Sequence, residues 1–151
     1  MNNQQKVANE TLKSIMQICK DGEKGYKNAA ENTKEGNLNT LFLRMSQQRA
    51  TFYSELKREM ELMFGEEYKP EGTLTGSIHR LWQDTKATFT GNSSEEVIEE
   101  CIRGEKVAIK AYKQALDTND MPQAIHDKLQ EQYTVITSTL MQMELLEEAV
   151  D

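Results

Sequence analysis

The sequence predicts an all-α protein, a four-helix bundle built from two antiparallel hairpins joined by one long crossover. Three observations carry this expectation. Glu, Lys, Gln, Leu, Ala and Met dominate the chain, and Val, Ile and Thr do not alternate with the period of two that strands require. Apolar residues recur instead at spacings of three and four along four long segments. Both prolines, Pro70 and Pro122, fall outside those segments, as residues without a backbone N–H must if the helices are to stay whole.

The 151 residues fit a single domain, 1–151, with chain enough for a sizeable core. The first helix is expected from about residue 3 to 34, with Val7, Leu12, Ile15, Met16, Cys19, Tyr26 and Ala30 inward and Gly36 as its left-handed terminator. A Gly36-Asn37 turn leads into a second helix near 38 to 64, carrying Leu41, Met45, Phe52, Leu56 and Met63 inward and ended by Gly65. So short a connection makes the two helices antiparallel neighbours. The crossover, about 66–93, contains Pro70, Gly72, Gly76 and Gly91. Ile78, Leu81, Trp82 and Phe89 recur in it at helical spacing, which predicts a short helix over 76–90 packed through Trp82. Ser93 and Glu96 form a capping box ahead of Val97, Ile98 and Cys101, opening the third helix. The fourth follows Asp120 as N-cap and Pro122 in its first turn, with Ile125, Leu129, Ile136, Leu140, Met143 and Leu146 inward.

The two hairpins repeat. Cys19, Gly22, Glu23 and Lys24 align with Cys101, Gly104, Glu105 and Lys106, and Leu41, Met45, Gln48 and Leu56 align with Ile125, Leu129, Gln132 and Leu140. Each apolar stripe is therefore interrupted near its middle by one polar residue: Glu23, Gln48, Glu105 and Gln132. Four such residues at similar depth are the arrangement of carboxylate-bridged di-metal bundles, which need a Glu on two helices and Glu-x-x-His on the other two. Here the lone glutamates remain, but the other positions read Gln48-Arg49-Ala50-Thr51 and Gln132-Tyr133-Thr134-Val135. Two carboxylates and two neutral amides carry half the ligand charge and no imidazole, a poor match for two iron or manganese ions. Glutamine can donate amide hydrogens to Glu oxygens, so the residues predict a closed Glu/Gln polar layer, a vestigial metal site with Glu23 and Glu105 as the ligands of any ion. Tyr26 and Tyr112 share those seams and stand within reach as supporting residues.

His79 and His126 lie off the stripes, and no phosphate loop, nucleophile–His pairing or zinc spacing is present. Cys19 and Cys101 belong to no CxxC pair. They are expected as buried free thiols on opposite sides of the Glu layer, roughly 12 Å apart from helix rise. The charge of −7 and pI near 5.0 argue against nucleic acid. No apolar run reaches the ~20 residues that span a bilayer, and the opening MNNQQKVANE lacks the regions of a signal peptide. The expectation is a cytoplasmic protein without membrane contact.

DGEKGYKNAA in the first helix, GSIHRLW in the crossover and RGEKVAIKAY in the third helix resemble a bacterial ferritin-like family of unknown function, and the resemblance covers nearly the whole chain. It implies ferritin-like topology and a distant relation to rubrerythrin-type proteins, and it supplies no activity. Two functional expectations follow. The first is a non-catalytic bundle, not an enzyme and without a cofactor, that acts through its surface as a homodimer or as a structural or stress-associated partner protein. The alternative is an iron- or manganese-binding oxidoreductase or storage protein with atypical ligands.

Overall fold

The computed structural model describes residues 2–65, 93–119 and 121–150. Four helices make up this structure: α1 (Asn3–Glu31), α2 (Gly36–Phe64), α3 (Ser94–Leu116) and α4 (Gln123–Val150), with no strand among the described residues. The all-α fold read from the sequence is the fold observed. The expected crossover helix with Trp82, His79 and the Asp120 cap lie outside the described residues.

α1 packs along α2 and α3 along α4 as two hairpins, while α1 also lies beside α3 and α2 beside α4. Cross-helix contacts fix the directions. Asn39 Nδ2 at the start of α2 reaches the Ala30 carbonyl at the end of α1 (2.7 Å), and Asn9 near the start of α1 reaches Met60 near the end of α2. Ser94 Oγ, opening α3, meets Glu35 beside the start of α2 (3.0 Å), so α2 and α3 run the same way.

Local chemistry sets the helix ends. Asn2 and Gln5 form a reciprocal capping box at the start of α1. α1 stops at Asn32, whose backbone N–H bonds to the Ala29 and Asn28 carbonyls while its side chain takes the Asn28 carbonyl at 2.8 Å. Gly36 therefore does not terminate α1 as expected; it is the first residue of α2. Gly65, at φ 70°, does end α2 in the left-handed conformation glycine tolerates. Ser93 accepts from the Glu96 N–H at 3.4 Å, and Glu95 and Glu96 in the first turn of α3 suit its positive end. The Pro122 carbonyl accepts from Ile125 and His126 as α4 begins.

The apolar interior falls into two clusters along the bundle axis. One gathers Leu12, Ile15, Met16, Cys19, Leu56, Tyr112, Leu129 and Ile136 among others. The second gathers Tyr26, Ala30, Leu38, Phe42, Val97, Ile98, Cys101 and Met143. The stripe on α3 is buried as read from sequence. The stripes on α1 and α2 are also largely buried as read; near the start of each helix, Ala8 is buried in place of Val7 and Phe42 in place of Leu41. Cys19 and Cys101 are both buried and free, one in each cluster.

Candidate functional site

Between the two clusters lies a layer of buried polar groups centred on an ion pair. Arg49 of α2 and Glu105 of α3 are 1% and 0% exposed, and Nη2 donates to Glu105 Oε2 at 2.6 Å. The pair ties together the two helices that lie diagonally across the bundle. Arg49 Nε donates to Gln48 Oε1 at 3.3 Å, and its guanidinium carbon sits 5.6 Å from the centre of the Tyr26 ring. Burial first, and then the nearby negative charge of Glu105, push the Tyr26 phenol upward. Burial works against the charge of Arg49, but the Glu105 carboxylate outweighs it and raises the arginine further above its ordinary range. The guanidinium is a permanent cation here.

The side chain of Arg49 reaches this position because Gly22 lies beside it. A Cβ on Gly22 would stand 3.2 Å from Arg49 Cγ, 3.5 Å from Nη1 and 3.6 Å from Cδ. The glycine thus leaves a groove on α1 in which the arginine stem rests. Nη1 has no hydrogen-bond partner among the described residues.

A second polar chain runs outward from Cys19. Tyr112 O–H donates to Gln132 Oε1 at 2.7 Å, which commits its one proton. The 3.1 Å contact between Cys19 Sγ and the Tyr112 oxygen is then a thiol donating to a phenol. Gln132 Nε2 donates to the Phe52 carbonyl (3.3 Å) and to Glu55 Oε1 (3.2 Å), and Glu55 meets Lys128 at 3.5 Å at the half-exposed edge between α2 and α4. Desolvation pushes the Cys19 thiol up to about 11. Cys101 and Tyr112 are likewise driven well above their ordinary ranges by burial, as is Tyr26. At neutral pH these groups are protonated donors, not nucleophiles.

The four residues expected to form a closed layer are therefore not together. Glu105 and Gln132 are buried at its depth. Glu23 is 32% exposed, 3.7 Å from Lys20 on its own helix, and only its backbone carbonyl faces inward, accepting from Ser46 Oγ at 2.8 Å. Gln48 is half-buried and accepts from Arg49. The expected donation from each glutamine to a glutamate is replaced, on one side, by an arginine. Burying both glutamates would place two carboxylates in the core, whereas one guanidinium neutralises one of them. Glu105 received the guanidinium, and Glu23 turned toward water.

Sequence reading passed over Arg49 because a charged residue counts as outward by hydropathy. Its spacing within Met45, Arg49, Phe52 and Leu56 fits the buried row as well as that of Gln48, and Gly22 on the facing helix was the available clue.

Tyr26 and Tyr112 do reach the polar layer, one on each pair of partners. His126 stays near the surface beside Asp127 (3.9 Å). The residues do not fit a pair of divalent ions: a guanidinium occupies the cation position beside Glu105, and Gln132 spends its amide on Tyr112, Phe52 and Glu55. Among the described residues no group of three or more His, Cys, Asp or Glu is placed to hold a metal. No described helix is long and apolar enough to cross a membrane.

No curated protein matches the chain. Residues 7–118, spanning α1 to the turn after α3, match a family described as Domain of unknown function (DUF2383). The chain belongs to that family.

Proposed function

We propose that this chain is a non-catalytic helical bundle of ferritin-like descent, in which a salt-bridged polar layer stands where relatives of that superfamily hold metal, and that it acts through its surface. The observation that carries this reading is the Arg49–Glu105 pair, buried to 1% and 0% exposure at 2.6 Å. A fixed internal cation neutralises the carboxylate that a metal would need, and it links diagonal helices, so its function is to set their register. The duplicated hairpin and the ring order of the helices support the ferritin-like relation. The two free, buried thiols suit a reducing compartment such as the cytoplasm.

The test is thermal unfolding with excess Fe(II) or Mn(II), with chelator, and without either, in the wild type and in Glu105→Gln. The reading predicts one melting temperature under all three conditions for the wild type, and a metal-independent drop for the variant. A chelator-sensitive melting temperature that Glu105→Gln abolishes would favour metal binding instead.

A further inference from the structure

The exposed charges along the outer row of α2 are basic and those along α4 are acidic, while Glu55 of α2 and Lys128 of α4 pair with each other at the edge between the two helices. Along the outward row of α2, from Thr40 to Leu62, the exposed charged residues are Arg44 and Arg58; Leu43 and Leu62 are exposed at 48% and 71%, and the rest of the row is Thr, Gln and Ser. Along the outward row of α4 the exposed charges are all acidic: Asp127, Glu131, Glu144 and Glu148. Between Glu131 and Glu144 no residue is charged, and Met141 and Leu145, one turn apart, are 63% and 67% exposed. In a chain with 28% charged residues, a solvent face of that length without a charge is unusual for a purely solvated helix. No ion pair joins Arg44, Arg58 or Glu144 to another described residue.

We infer that the α2/α4 face is a self-association surface, on which a second copy of this chain docks with α2 of each copy against α4 of the other. The two helices lie side by side and antiparallel within one chain. A twofold axis running along the bundle between them exchanges α2 for α4 and preserves height. The bonds from Gln132 and Lys128 to Glu55 set those heights. Counting along both helices from that level, Arg58 falls level with Asp127 and within a turn of Glu131. Arg44 falls level with Met141 and within a turn of Glu144, and Leu43 lies beside the same apolar pair. Basic ends thus meet acidic ends, with uncharged residues and the already paired Glu55 and Lys128 between them, and each contact occurs twice. An axis perpendicular to the helices would instead set α2 on α2 and α4 on α4, placing like charges together.

This inference rests on the reading above only in locating the surface through which the chain acts; metal binding would overturn that reading without touching the dimer, and a monomer would do the reverse. The experiment is sedimentation of the full chain at low salt, in the wild type, Arg44→Glu, Glu144→Arg and the two combined. Helix content by circular dichroism confirms folding, since both side chains are exposed and free of described ion pairs. The wild type is expected at twice the chain mass of 17.3 kDa. Each single reversal should weaken dimerisation about tenfold or more, and the combined variant should regain most of the loss. A monomeric wild type overturns the inference, as does a dimer that ignores the single reversals or is not rescued by combining them.

Discussion

Replacing Arg49 by Met removes a guanidinium of similar length and leaves Glu105, 0% exposed, without its cation. An uncompensated buried charge of this kind costs about 3–5 kcal/mol. Replacing Glu105 by Leu strands the arginine instead, at a similar cost. The combined Arg49→Met/Glu105→Leu variant removes both charges and fills the space with apolar atoms. Its remaining penalty is imperfect repacking and the lost Arg49–Gln48 bond, roughly 1–2 kcal/mol. Were the two sites independent, the double variant would lose about 6–10 kcal/mol, enough to unfold most domains of this size. Urea unfolding of the four proteins, with Arg49→Lys as a milder single variant, measures the coupling directly. The double variant is expected within about 2 kcal/mol of wild type and more stable than either single. Additive losses would refute the claim that the pair acts as one closed unit.

Three further outcomes follow from the same geometry. Gly22→Ala gains about 1 kcal/mol of helix propensity but presses a Cβ to 3.2 Å from Arg49 Cγ, whose far end Glu105 holds. A net loss of roughly 1–2 kcal/mol is expected, whereas Gly36→Ala, with nothing within 4 Å, should be neutral or slightly stabilising in the same denaturation assay. Glu23→Gln should leave stability within about 0.5 kcal/mol, while Glu105→Gln should cost about 3 kcal/mol or more because a buried guanidinium loses its counter-charge; equal effects would place Glu23 inside after all. Raising pH tests the buried donors. The unfolded chain ionises Cys19 near its ordinary 9.0 and the folded chain only near 11, so this stabilisation is complete below pH 9 and is lost between about 9 and 11. The loss is roughly 2–3 kcal/mol from Cys19, with Cys101, Tyr26 and Tyr112 acting in the same direction. Tyrosinate absorbance from Tyr26 and Tyr112 should therefore appear only as helicity falls, and early titration of all tyrosines would contradict their burial.

Much of the fold was legible because helix periodicity, caps and short turns are local. The stripes on α3 and α4, the Gly65 terminator and the hairpin pairing all follow from spacing and turn chemistry. What was not legible depends on partners distant in sequence. Arg49 lies 56 residues from Glu105, and nothing near it announces that a carboxylate waits across the core. The internal repeat also misled: it implied that Glu23 and Glu105 share one environment. They do not, because the residue one place after Gln48 is Arg49 and the residue one place after Gln132 is Tyr133. Tyr133 packs at the edge of the apolar cluster. One arginine in one half is enough to break the symmetry, burying one glutamate and releasing the other. At the end of α1 the error was local: an asparagine that caps through its own side chain outcompeted a glycine four residues later.

The most direct test of the central claim, that an internal guanidinium stands where a metal would, is native mass spectrometry of protein purified without chelator from cells supplied with iron and manganese. The mass per chain is expected to equal that of the polypeptide alone. A mass excess of one or two iron or manganese ions per chain, lost on replacing Glu105 by Gln and retained on replacing an exposed acidic residue such as Glu148, would contradict it.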